Sequence, residues 1–278
     1  MRSPADNAQL ALLLEVAGTP KPGNVDRVRD LPDLRFEHFL AGAVGARDGL
    51  RAAESSAPVG ESFERAVEGM GHQSGDNTQF GALLLLVPLV RAASEGEPTP
   101  EAAARVVEST TVEDASNFYR AFEHVDVFVG DPPEEISDLD ARRGADAIPA
   151  IEERGLTLYD VMELSADVDG VAREWTGVFE RTFRTADRIT NLDGPIPDRA
   201  ARAYLECLAR ERDTLVEKRH GRKVAESVRT RAQAALDDDR DHLSAFAESL
   251  VEDGVNPGTT ADIVAAGLFV ALEGGVEV

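Results

Sequence analysis

The apolar positions of this chain recur at spacings of three and four almost from end to end. In "DGVAREWTGVFERTFRTADRIT" (169–190), Val171, Trp175, Val178, Phe179, Phe183, Ala186 and Ile189 fall on one helical stripe. "DLRFEHFLAGAVGARDGL" (33–50) aligns Phe36, Phe39, Leu40, Ala43, Val44 and Leu50 in the same way. Further amphipathic stretches lie near 5–17, 60–70, 100–124, 157–166, 197–219, 222–236 and 240–252. Period-two alternation is confined to "VDVFVG" (125–130). The pattern predicts an all-α protein of ten or more helices, with no repeat at a fixed period.

Two stretches break the amphipathic rule. "NTQFGALLLLVPLVRA" (77–92) and "PGTTADIVAAGLFVAL" (257–272) are apolar nearly all round, which predicts two central, buried helices. Pro257 suits the first helical position with Asn256 as its cap. Residues 128–156 carry three prolines and little periodicity, so they read as an irregular surface excursion from a single domain spanning 1–278.

Charge changes the picture. The chain holds 52 acidic residues against 29 basic ones, a net of −23, and only three lysines: Lys21, Lys218 and Lys223. The acid is spread along the chain rather than gathered in a tail. High salt screens such self-repulsion to about 3 Å at 1 M, so the spread predicts a salt-adapted (halophilic) cytoplasmic protein. It disfavours nucleic acid and anionic membranes as partners. Cys207 is the only cysteine, which excludes an intrachain disulfide and a cysteine metal cluster. No apolar run approaches the roughly 20 residues of a membrane span. Asp6 and Glu15 bracket the one N-terminal apolar stretch, which is unlike a signal peptide.

The candidate chemistry lies where polar residues adjoin the buried helices. "GHQSGDNTQFG" (71–81) leads into the first of them, with Gly75, Asp76, Asn77 and Thr78 crowding a helix start whose unpaired N–H groups suit phosphate; the same residues could serve only as caps. In the second, Thr259 and Asp262 share a face. A carboxylate one turn into an apolar helix costs several kcal/mol unless it is paired or binds a cation, roughly as for other buried charges. In "RERDTLVEKRHGRK" (210–223), Asp213 and Glu217 are four apart on a helix, as are Lys218 and Arg222, so the carboxylates could hold a divalent cation and the bases a phosphate. The alternative is a solvated charge face. His72, His124 and His220 read as structural. "KPGNVDR" (21–27) ends the first helix in a Pro-Gly turn.

Taken together, "KPGNVDR", "GHQSGDNTQFGALLLLVPL", "RDTLVEKRHGRKVA" and "NPGTTADIVAAGLFVAL" resemble, in order and spacing, the triphosphoribosyl-dephospho-CoA synthases. The resemblance covers most of the chain. It implies an all-helical transferase that moves a triphosphoribosyl group from ATP to the 2′-hydroxyl of 3′-dephospho-CoA, releasing adenine, with magnesium. Asp76, Asp213 and Asp262 become the expected catalytic carboxylates, and these three with Glu217 the expected magnesium ligands. Lys21, Arg27, Lys218 and Arg222 become phosphate contacts. Gly23, Asn24, Asp26, Gly75, Asn77, Thr78 and Thr259 complete a nucleotide site. Partners are small-molecule nucleotides, with a homodimer as an open option. One departure stands out: bacterial relatives continue Asn-Thr-His-Lys-Gly, whereas this chain has Asn77-Thr78-Gln79-Phe80-Gly81. "GDNT" also resembles, faintly, the magnesium segment of ADP-ribosyl glycohydrolases. Both points keep open an N-ribosyl transferase or hydrolase acting on another substrate, or a non-catalytic nucleotide binder.

Overall fold

A computed structural model describes residues 2–237 and 240–278. They form sixteen α-helices, three short 3₁₀ turns and no strand, as the periodicity predicts. In chain order these are α1 (Pro4–Ala17), α2 (Phe36–Gly45), α3 (Arg47–Glu54), α4 (Val59–Met70), α5 (Phe80–Glu95), α6 (Pro100–Glu108), α7 (Val112–Ala121) and α8 (Ile148–Arg154). There follow α9 (Leu158–Ser165), α10 (Gly170–Thr176), α11 (Glu180–Asn191), α12 (Ile196–Arg210), α13 (Thr214–His220), α14 (Arg222–Ala234), α15 (Arg240–Glu252) and α16 (Gly258–Glu273).

The all-apolar helices α5 and α16 pack against each other in the interior, and α1, α11 and α12 close around α16. One apolar cluster runs through nearly every element. Pro88 sits inside α5 and has no N–H to give the Leu84 carbonyl one turn back. The buried Trp175 indole donates to that carbonyl instead, at 3.1 Å, which ties α10 to the central helix.

Several apolar stripes that read as one helix are two, because a local break interrupts them. The stripe at 33–50 breaks at Ala46. The stretch 100–124 breaks before Val112, where Thr111 and Asp114 cap each other reciprocally. The stripe at 169–190 breaks at Val178 and Phe179, both with positive φ; Glu174 holds the corner by accepting from Thr182 N–H at 2.7 Å and Arg181 Nε at 2.8 Å. The alternating stretch 125–130 is irregular rather than extended.

The helix starts also shift. α5 begins at Phe80 rather than at 77, with Asn77 Oδ1 accepting from Phe80 N–H at 3.1 Å. α16 begins at Gly258, with Pro257 at the cap position. Asn256 does not cap it, because its side-chain oxygen is taken by Asn24 Nδ2 at 2.9 Å.

The segment 128–156 is more than a surface excursion. Two 3₁₀ turns (Glu134–Leu139, Ala141–Ala147) and α8 make it a strap packed on α7. Tyr119 Oη donates to Leu139 O at 2.6 Å, Glu123 accepts from Ala145 N–H at 2.9 Å, and Arg142 clamps Asp140 and Asp131.

Candidate active site

Beneath the strap lies a cavity of about 480 Å³, within the ~300–1,000 Å³ of small-molecule sites. Its walls come from the start of α5, α7, the strap, α9, the start of α10, α13 and the start of α16. Two linings meet there. One is apolar, with Phe80, Phe118 and Phe122 in an edge-to-face ring cluster joined by Met162 and Ile136. The other is polar, formed by Asn77, Asp169, Lys218, Arg219, Thr259 and Asp262.

Asp262 lies in this polar wall, one turn into α16 and half-buried, its carboxylate open to the cavity. A Cβ on Gly81 would collide with that carboxylate, so a side chain at the second position of α5 would require the Asp262 carboxylate to shift. No basic side chain pairs with it among the described residues. Burial, then the like charges of Asp213, Glu15 and Asp169, push its carboxyl well above the usual range; only the Ala82 backbone N–H pulls it down.

Asp169 caps α10, its Oδ1 accepting from Val171 and Ala172 N–H at 2.8 and 3.0 Å. Its Oδ2 receives Lys218 Nζ. Burial alone would raise this carboxyl, but the Lys218 ammonium and the two N–H groups outweigh it and hold it below the usual carboxylate range. Thr259 meets the Thr214 hydroxyl at 3.1 Å, and Arg219 stacks over the Phe128 ring of the strap at 4.7 Å.

The structure redistributes the other expected site residues. Asp213 is not on one face of a helix with Glu217, since it stands outside α13 as its cap. Its Oδ1 accepts from Leu215 and Val216 N–H at 2.9 and 3.0 Å, and its Oδ2 from both Thr260 N–H and Oγ1 at 2.7 Å. Four bonds fill its four lone-pair sites. Burial nevertheless pushes its carboxyl up. Glu217 points out to Arg212 at 2.8 Å, and Arg222 is exposed at the start of α14, away from the cavity.

None of residues 21–27 lines the cavity. Lys21 is fully buried, with Nζ 2.5 Å from Glu15 Oε1, 3.3 Å from Asn24 Oδ1 and 5.8 Å from the centre of the Tyr204 ring. Asp26 accepts from Thr19 Oγ1, Lys21 N–H, Val28 N–H, Arg29 N–H and Arg29 Nη1, all within 3.1 Å. Gly23 has φ +74°, and a Cβ there would strike the Val255 carbonyl. Arg27 is half-exposed, 3.5 Å from Asp198. Of the expected phosphate contacts, only Lys218 lines the cavity, joined there by Arg219.

Gly75 and Asp76 form an exposed turn: Gly75 packs on His38, and Asp76, at φ +59°, accepts from Asp126 N–H at 2.9 Å. Thr78 Oγ1 faces Gly42 of α2, away from the cavity. Among the described residues no three of His, Cys, Asp and Glu gather closely enough to hold a metal ion, so Asp76, Asp213, Glu217 and Asp262 do not form the expected magnesium cage. Asp169, Arg219 and Phe128 are among the cavity residues that pattern reading passes over.

The sequence model of the family described as "CitG: ATP:dephospho-CoA triphosphoribosyl transferase" matches residues 1–277. The chain belongs to this family of transferases. A crystal structure from Archaeoglobus fulgidus, provisionally assigned as a triphosphoribosyl-dephospho-CoA synthase, superposes with a TM-score of 0.73 at 28% identity. The match covers 87% of this chain and 100% of that one. No curated protein matches the chain. Family membership accords with transferase chemistry for prosthetic-group biosynthesis on small nucleotide substrates. Among the described residues no helix is long and apolar enough to cross a membrane.

Proposed function

We propose that the protein transfers a triphosphoribosyl group from ATP to the 2′-hydroxyl of 3′-dephospho-CoA or a related acceptor, with release of adenine. The observation that carries this reading is the cavity's division into an apolar half and a polar half, with Asp262 and Asp169 beside Lys218 and Arg219. Breaking an N-glycosidic bond builds positive charge on the ribose, which a nearby carboxylate stabilises. A flat base suits the aromatic half, where ring faces stack. Lys218 and Arg219 are the cations facing the cavity that can meet phosphate oxygens. Because the carboxylates do not assemble a cage, magnesium would arrive on the triphosphate and keep much of its water.

The test is incubation with ATP, magnesium and dephospho-CoA in molar KCl, with adenine measured by chromatography. Adenine release that depends on the acceptor supports the transfer. Equal release without any acceptor would mean hydrolysis, and no release with a panel of alcohol acceptors would overturn the reading.

A further inference from the structure

Asp169 and Asp262 are two of the four carboxylates that line the cavity, and they sit in opposite electrostatic settings, whereas Asp131 and Asp140 are held by Arg142 of the strap. Asp169 is surrounded by donors: Lys218 Nζ on one oxygen and two backbone N–H groups on the other. Asp262 faces acids. Asp213 from the α12–α13 connection, Glu15 from α1 and Asp169 itself are the acids that raise it. Lys21 is already bound to Glu15, and of the two cations lining the same cavity Lys218 is held by Asp169 and Arg219 lies over the Phe128 ring. When two carboxyls share a site and their surroundings favour opposite protonation states, the pair divides acid and base work.

We propose that Asp262 is the general acid that protonates the departing base, while Asp169 receives the proton of the attacking hydroxyl. This rests on the transfer reaction proposed above. The bond from the ribose anomeric carbon to the base nitrogen breaks, and its electron pair passes to the base. The Asp262 Oδ–H proton moves to a ring nitrogen of that base. The acceptor oxygen bonds to the same carbon and its proton goes to Asp169. A proton passing from Asp169 to Asp262 through solvent then restores both groups. Lys218, on Asp169 in the free protein, is released toward the phosphates when Asp169 takes up its proton. The burial that raises Asp262 and the donors that lower Asp169 favour these starting states.

The experiment compares Asp262→Asn and Asp169→Asn on ATP and on its N7-methylated form, whose base is already cationic and departs without a proton. Asn keeps the cap on α10, so the Asp169 variant retains its fold. Asp262→Asn should lose about 10²–10⁴-fold in kcat on ATP, the usual worth of a general acid, yet stay within about tenfold of wild type on the methylated nucleotide. Asp169→Asn should be impaired on both. Equal loss by Asp262→Asn on the two substrates would overturn the assignment.

A second measurement is independent of turnover. The infrared difference between wild type and Asp262→Asn should show a neutral-carboxyl band at pH 7 in the resting protein. Its absence overturns the acid role whatever the substrate. A band present in a wild type that releases no adenine locates the failure in the nucleotide reading, and the assigned proton recipient falls with it.

Discussion

Two polar regions flank the first turn of α16, and they are built by opposite rules. Behind it, Asp26 and Asp213 are buried with their oxygens filled by Thr19, Arg29, Thr260 and backbone N–H groups, and buried Glu15 is paired with Lys21, which also reaches Asn24. In front of it, Asp262 opens onto the cavity with no ion pair among the described residues, and Asp169 in the same lining is paired with Lys218, which itself faces the void. Both regions place charge where burial is costly. The difference is satisfaction: a saturated carboxylate holds the fold together, while an unsatisfied one beside open space is available for chemistry.

The strongest way to break this contrast is at Lys21. Lys21→Ala leaves Glu15 buried and uncompensated, and should lower unfolding free energy in urea by about 3–5 kcal/mol. Replacing both partners by apolar residues, Lys21→Met with Glu15→Leu, should recover most of that loss. If Lys21→Ala kept its stability and lost only activity, the region would belong to the site after all.

A smaller effect is expected at Asp213. Asp213→Ala removes the cap of α13 and the bonds to Thr260, for about 2–3 kcal/mol by the same measurement.

The smallest effect should have the opposite sign. The folded Asp262 carboxyl lies above its unfolded value of about 3.9, so the folded state holds that proton longer. Its contribution is complete below about pH 3.9 and is lost as pH rises toward the folded value. Asp262→Asn removes this penalty, so its stability relative to wild type should grow as pH rises from about 4. The gain should stay within the ~0.5–2 kcal/mol common for stabilising substitutions. A difference that shrank with pH would mean that Asp262 has a cationic partner.

These contrasts also separate what a sequence can display from what it hides. The helices were legible because burial imposes a 3.6-residue period. The breaks at Thr111, Val178–Phe179 and Asp213 were not, since their apolar stripes run on across the local break. Asp262 was legible as an acid in an otherwise apolar helix. "KPGNVDR" and Asp213 carry the same residue types, and only the fold shows that their hydrogen bonds are internal. Asp169 looks like an ordinary helix cap in the sequence, because the lysine that marks it out is 49 residues away. Phe128 lies in a stretch without periodicity, and the strap gains meaning only through what it covers.

Gly81 carries a consequence for the lineage. The volume its side chain would fill is occupied by the Asp262 carboxylate, 181 positions further along the chain as numbered. A side chain at position 81 would displace that carboxylate, which couples the two sites. A relative with a side chain at the first position must hold its acid differently or have given it up, so the pair serves as a single inherited character by which relatives sharing this arrangement can be sorted from those that have left it.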